Sequence, residues 1–161
     1  MSEQKKFTYE EILDTHGKLI YKNVGTSMMP LLRQNHDLMI IEKRPQGRLK
    51  KYDAVLYKSV GGRYILHRIL KVGKEDYIIC GDHCIHREFG IKEEQILGVL
   101  TAVVRDGKTI EVTDKKYLFY VHLWCDFFYI RVAILFFKQF ARRAGSFVVR
   151  KIFKNKKGML I

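Results

Sequence analysis

The chain has 161 residues, 47% of them hydrophobic, which is enough for one domain with a core and an appendage but not for a large multidomain assembly. Its 30 Lys and Arg against 17 Asp and Glu give a formal net charge of +13; this excludes a neutral surface and points to an anionic partner such as nucleic acid, acidic protein or a membrane face. Three scattered cysteines, Cys80, Cys84 and Cys125, exclude a disulfide framework, and the polar residues 1–6, with no apolar run behind them, lead us to expect no N-terminal signal or anchor.

Thr8 and Glu11 predict a capping box, and with Ile12 and Leu13 behind them a short helix that Gly17 stops. Residues 18–24 predict a strand. Gly25-Thr26-Ser27-Met28-Met29-Pro30 follows. Gly25 permits unusual backbone shapes, and Pro30 fixes its own φ while pushing Met29 toward extended geometry. Stiffness is thus concentrated around one hydroxyl, which suits Ser27 as an exposed nucleophile; an ordinary turn is the plainer reading of the same residues. Residues 31–37, with a turn signal at their end, lead to a short buried strand at 38–41 and a polar loop at 44–51, then a strand at 53–58. Asp37 and Asp53 read as turn residues. Gly61-Gly62 is a hairpin signal. Residues 64–72 alternate, with Ile65, His67, Ile69 and Lys71 on one face and Tyr64, Leu66, Arg68 and Leu70 on the other. A strand at 77–80 ends at Gly81-Asp82. A short turn at 92–95 precedes a strand at 96–104, which Asp106-Gly107 joins to a partner at 109–112. Six or seven short strands with turns every ~8–12 residues predict a mainly β fold, a barrel or sandwich.

Residues 117–137 are almost wholly apolar and lack glycine and proline, which predicts one helix just long enough to span a bilayer. His122, Asp126 and Arg131 within it argue against lipid on every side; His122 and Asp126 are neighbours at i,i+4. Further on, Lys138, Arg142, Arg150, Lys154 and Lys157 alternate with Phe140, Phe147, Ile152 and Phe153. Together, residues 117–157 predict a segment lying on an anionic membrane surface, and the protein is expected at the cytoplasmic face of a membrane. The plainer alternative is a helix packed on the β domain with a solvated basic tail. The chain therefore divides into an N-terminal helix (1–17), a β domain (18–114) and a helical, apolar then basic extension (115–161).

A serine nucleophile needs a base. Of the six histidines, His16, His36 and His122 fall in helices or turns and His83 and His86 in a loop, whereas His67 lies in mid-strand on an apolar face. Such a histidine is ordinarily a core residue satisfied by hydrogen bonds. Semi-burial also lowers its pKa, which suits a base that must be neutral near pH 7. The second ring nitrogen requires an orienting carboxylate, for which Asp82 and Glu88 are both available.

These segments form one resemblance, covering about residues 18–105. Gly25 to Pro30 resembles the Ser-Met-x-Pro nucleophile box of type I signal peptidases and the related SOS-repressor-type self-cleaving peptidases. Leu66-His67-Arg68-Ile69 resembles the base box, in the form with histidine used by the endoplasmic-reticulum and archaeal branch. Gly81-Asp82 resembles the glycine-aspartate box, and residues 50–55 resemble the opening of another family strand, with Tyr52 in place of the usual glycine. The resemblance implies a signal-peptidase-like β fold and a serine endopeptidase in which Ser27 attacks, His67 is the base, and Asp82 or Glu88 orients it. It also implies an extended peptide or leader lying near Met28 and Met29, with small side chains before the scissile bond, and no metal or cofactor. There are departures from the family. Gly25 replaces a serine whose hydroxyl would add to the oxyanion hole, leaving Thr26 or the Ser27 N–H to compensate. Glu88 stands where the histidine branch has aspartate, and the family's usual N-terminal membrane anchor is not expected here.

Other readings compete. Cys80, His83, Cys84 and His86 are potential zinc ligands, but no second ligand pair accompanies them. A basic β module binding nucleic acid is a second alternative, although no stacking aromatic and basic strand motif stands out, and nucleic acid is not the expected partner. A degenerate peptidase that binds peptides without cutting them is a third, suggested by Gly25 and Glu88.

Overall fold

The computed structural model describes residues 7–138 and 140. Its elements are α1 (Tyr9–His16), β1 (Lys18–Lys22), β2 (Leu38–Lys43), β3 (Ala54–Lys58), β4 (Tyr64–Val72), β5 (Asp76–Cys80), β6 (Glu88–Lys92), a single 3-10 turn (Glu93–Gln95), β7 (Ile96–Arg105), β8 (Lys108–Glu111) and α2 (Lys115–Asp126). The fold is mainly antiparallel β, as expected. Eight strands join one sheet in the order β1-β2-β7-β3-β4-β5-β6, with β8 paired to β7. The strand not anticipated is β6, whose Glu-Phe-Gly-Ile-Lys sequence alternates too weakly to announce itself.

Because successive side chains leave a strand on opposite faces, the sheet carries two cores. Leu56 of β3 and Leu66 of β4 enter one, with Leu13, Met28, Ile41 and Leu100. Val55 and Tyr57 of β3 and Ile69 of β4 enter the other, with Tyr77, Ile79 and Ile96. The first core is closed by α1. Its predicted capping box is formed: the Thr8 N–H donates to Glu11 Oε2 (2.8 Å) and the Glu11 N–H to Thr8 Oγ1 (3.2 Å). Gly17, at φ 68°, ends the helix in the left-handed conformation that glycine adopts without steric penalty.

The single helix expected over residues 117–137 is interrupted. α2 stops at Asp126, Phe127 is a turn residue, and a separate helical stretch follows over Phe128–Lys138. The division between two compact units falls between Asp126 and Phe127, so α2 belongs with the sheet. Tyr117, Val121 and Cys125, spaced i, i+4, i+8 along one face, pack with Leu31, Tyr52, Leu70, Ile110 and Val112. The Asp126 carboxylate at its end is held by the Tyr52 hydroxyl, by Lys51 Nζ (3.1 Å) and by its i,i+4 neighbour His122 (3.1 Å). The outer face of α2 exposes Leu118, Phe119 and Leu123. Taken by itself, the second unit exposes Tyr129, Ile130, Ile134, Phe136 and Phe137. Among the described residues no single helix is long and apolar enough to cross a membrane. The basic residues from Arg142 onward, read from the sequence as a membrane-surface segment, lie outside the described residues.

Candidate active site

The Ser27 turn is tied down from outside. The buried amide of Asn23 donates to the Gly25 carbonyl (2.9 Å) and to that of Leu32 (3.4 Å), and Gln34 Nε2 donates to the Val24 carbonyl (2.9 Å). Within the turn the Met29 N–H bonds to the Thr26 carbonyl (3.1 Å) and the Leu32 N–H to the Met28 carbonyl (2.9 Å). The Met29–Pro30 bond is cis. Met28 plugs into the first core, which leaves Ser27 half-buried at its rim. Among the described residues neither the Ser27 hydroxyl nor its N–H makes a hydrogen bond.

His67 projects from the centre of β4 and is 7% exposed. Its Nδ1 lies 2.6 Å from Glu88 Oε1, and Glu88 Oε2 accepts the Tyr57 hydroxyl at 2.6 Å. Glu88 opens β6, two strands across from β4, and Tyr57 comes from β3 on the other side, so three strands of one sheet fix the ring. A carboxylate only accepts, so Nδ1 carries the proton and Nε2 keeps its lone pair. Burial lowers the His67 pKa from its ordinary value; the negative charge of Glu88 opposes that shift without cancelling it. The imidazole is therefore neutral near pH 7, as a general base must be. Tyr57 titrates far above its ordinary range, first because it is buried and second because it donates to Glu88.

Serine turn and histidine meet at Gly81. A Cβ at that residue would lie 2.6 Å from the Ser27 carbonyl oxygen, 2.8 Å from His67 Nε2 and 2.8 Å from Cys84 Sγ. No side chain fits there, and its absence lets the Ser27 main chain and the imidazole approach one point. The His83 N–H, two residues on, donates to the Ser27 carbonyl at 2.7 Å and fastens the turn to the loop after β5.

Asp82, considered alongside Glu88 as the orienting carboxylate, does something else. It is 0% exposed and makes two parallel bonds to Arg68, Nε to Oδ1 at 2.9 Å and Nη2 to Oδ2 at 2.8 Å. Its Oδ2 also accepts the Tyr120 hydroxyl (3.0 Å), and its carbonyl accepts Trp124 Nε1 (2.7 Å). The reason is the alternation of β4: Arg68 follows His67 and points to the opposite face, where a guanidinium removed from water requires a counter-charge. Burial alone would lower the Arg68 pKa; the adjacent Asp82 charge instead holds it above the usual arginine value. Glu88, not Asp82, contacts the His67 ring.

A cleft of about 470 Å³ opens beside Ser27. Met28 lines it and Met29 does not. Among the described residues no group of three or more His, Cys, Asp or Glu could hold a metal ion. Cys80, one of the residues weighed as a zinc ligand, directs its thiol at the carbonyls of His86 (3.2 Å) and Cys84 (3.5 Å). Asp37, read as a turn residue, is a fully buried carboxylate; it accepts the Arg33 N–H (2.8 Å) and Arg105 Nε (3.1 Å), and so fixes the far end of the Ser27 loop. Asp53 is a turn residue, accepting the Lys50 N–H at 2.8 Å.

Sequence reading missed Tyr57, Asn23 and the partner of Arg68. Tyr57 sits in an apolar strand where a tyrosine reads as core, so nothing marked it. Asn23 carried a signal, being a polar side chain between a strand and Gly25. Comparison with known proteins returned no matching family model, no matching curated protein and no matching solved structure.

Proposed function

We propose that this chain is a serine endopeptidase similar to the histidine-type signal peptidases, with a signal-peptidase-like β fold. Ser27 is the nucleophile, His67 the general base and Glu88 the carboxylate that orients it. The observation that carries this reading is the meeting of the Ser27 main chain and His67 Nε2 at Gly81, with Nδ1 bound to Glu88 at 2.6 Å. Tyr52 adds independent support. It stands where the family has glycine, and its φ is +82°, a region that side chains other than glycine enter at an energetic cost.

Neutral His67 takes the Ser27 proton at Nε2 as Oγ bonds to the substrate carbonyl carbon. The unengaged Ser27 N–H stabilises the oxyanion; with glycine at residue 25, a side-chain donor worth ~10²–10³ in rate is absent. The imidazolium, held by Glu88, protonates the leaving amine. Water, deprotonated by the same ring, then releases the acyl group and restores the serine.

Partner chemistry follows the exposed apolar residues. Leu118, Phe119 and Leu123 on α2 and, separately, Phe136 and Phe137 in the second unit are exposed, and the net charge is +13. We assign these to an anionic membrane surface at which a peptide or leader is cut. Co-sedimentation with anionic vesicles, weakened by Phe136→Asp with Phe137→Asp and by high salt, tests this; binding unaffected by both would overturn it.

For the peptidase itself, Ser27→Ala and His67→Ala are each expected to abolish hydrolysis of a peptide library while preserving the thermal unfolding transition. Full hydrolysis in either variant would overturn the assignment.

A further inference from the structure

The cleft beside Ser27 is larger than an alanine-like side chain needs. Its volume of about 470 Å³ falls in the ~300–1,000 Å³ range of pockets that enclose most of a ligand. Its lining is mostly apolar, with Met28, Met39, Leu56 and Leu66, and one wall is a tyrosine cluster. Tyr9 of α1 stands between Tyr21 of β1, at 5.3 Å between ring centroids, and Tyr64 of β4, at 4.6 Å, and all three line the cleft. The trio is preorganised: the Tyr64 hydroxyl is bonded to Glu10, whose other oxygen takes Lys58 Nζ at 2.7 Å. A rigid aromatic wall favours a large apolar side chain, because offset ring contacts add to the area buried.

The other feature is charge. Among the described residues Arg63 is the only one lining the cleft with a formal charge. It is exposed, and among the described residues its guanidinium makes no hydrogen bond or ion pair. The carboxylates tied to this region are occupied: Glu10 by Lys58 and Tyr64, and Glu88 by His67 and Tyr57. An arginine at the edge of an apolar cleft is suited to a bidentate carboxylate.

We propose that the peptide segment seated beside Ser27 carries a large apolar side chain with a carboxylate close by, the first against the Tyr9–Tyr21–Tyr64 wall and the second on Arg63. This rests on the peptidase reading and replaces the expectation of small side chains that the family resemblance implied.

The test measures binding, so it stands apart from turnover. Positional pools of C-terminally amidated decapeptides, each fixing one residue, are titrated against Ser27→Ala protein by fluorescence anisotropy. At one position Phe or Leu is expected to bind about tenfold tighter than Ala, and at a nearby position Glu about tenfold tighter than Gln. In Ser27→Ala/Arg63→Glu protein the Glu preference should vanish and a Lys preference should replace it. A parallel set with free C-termini distinguishes a side-chain carboxylate from a terminal one. If only the free C-terminus confers tighter binding, the side-chain source is overturned; equal binding of all pools, no binding, or a Glu preference that survives Arg63→Glu overturns the whole inference. Selective binding without hydrolysis by the wild type would instead count against the peptidase reading and leave the recognition intact.

Discussion

Two neighbouring residues of one strand, His67 and Arg68, each hold a carboxylate, and the two pairs are opposites. Arg68 and Asp82 are both 0% exposed, bidentate, and capped by Tyr117, Tyr120 and Trp124. The Glu88 side chain that meets His67 is 37% exposed, and the ring's other nitrogen faces the serine turn across a glycine. The first pair has no reachable site for a reacting atom. The second keeps one titratable nitrogen in hand. Acid–base pairing alone therefore does not tell the two apart; access to one unspent lone pair does.

Breaking each pair should separate them, and the largest effect belongs to the sealed one. Asp82→Asn leaves the Arg68 charge buried and half-paired, with a stability loss of about 3–5 kcal/mol, read as a lower midpoint in urea. An unchanged midpoint would show that this pair is not structural. Glu88→Gln should lower kcat by ~10²-fold, the smaller end of what a positioned base contributes, with little change in that midpoint. It also sharpens the contrast through pH. In the proposed mechanism hydrolysis requires neutral His67, so kcat/KM should rise with pH through the His67 pKa, which burial sets below the ordinary 6.5. Removing the Glu88 charge removes the influence that opposes burial, so the acid limb of the profile should move to still lower pH. A shift upward would contradict the assigned contact.

Gly81 lies within the sequence span of both pairs, and Gly81→Ala tests both. The added methyl would sit 2.6 Å from the Ser27 carbonyl. Main chain must move, at ~1–3 kcal/mol, and activity should fall more than stability because the serine turn shifts relative to the imidazole. Denaturation profiles and peptide hydrolysis measured on the same preparation decide it. The smallest effect is expected from Tyr57→Phe, which removes one hydrogen bond to a partly exposed carboxylate, ~1 kcal/mol in stability, with kcat lowered less than in Glu88→Gln.

Local patterns were legible in advance: the Thr8–Glu11 cap, the β4 alternation and the Gly61-Gly62 hairpin, all set by residues adjacent in the chain. The approach of Ser27, His67 and Gly81 was visible only as a resemblance, since spacing carries no information on which loops meet. Choosing between Asp82 and Glu88 was beyond the sequence for a clear reason. The choice depends on which face of β4 each carboxylate reaches, and that follows from β6, a strand with too little alternation to be seen. The break at Phe127 was also hidden, because apolar composition continues across it. Asp126, the last residue of α2, is tied to Tyr52 and Lys51, more than 70 positions earlier in the chain.

Trp124 is the sole tryptophan of the chain, and its indole N–H is bonded to the carbonyl of the residue after Gly81. The protein thus contains a built-in fluorophore at the junction of its two carboxylate pairs. Its emission wavelength and quenching by acrylamide report whether the loop after β5 is seated, with no label attached, and a bound peptide that displaces that loop would register optically.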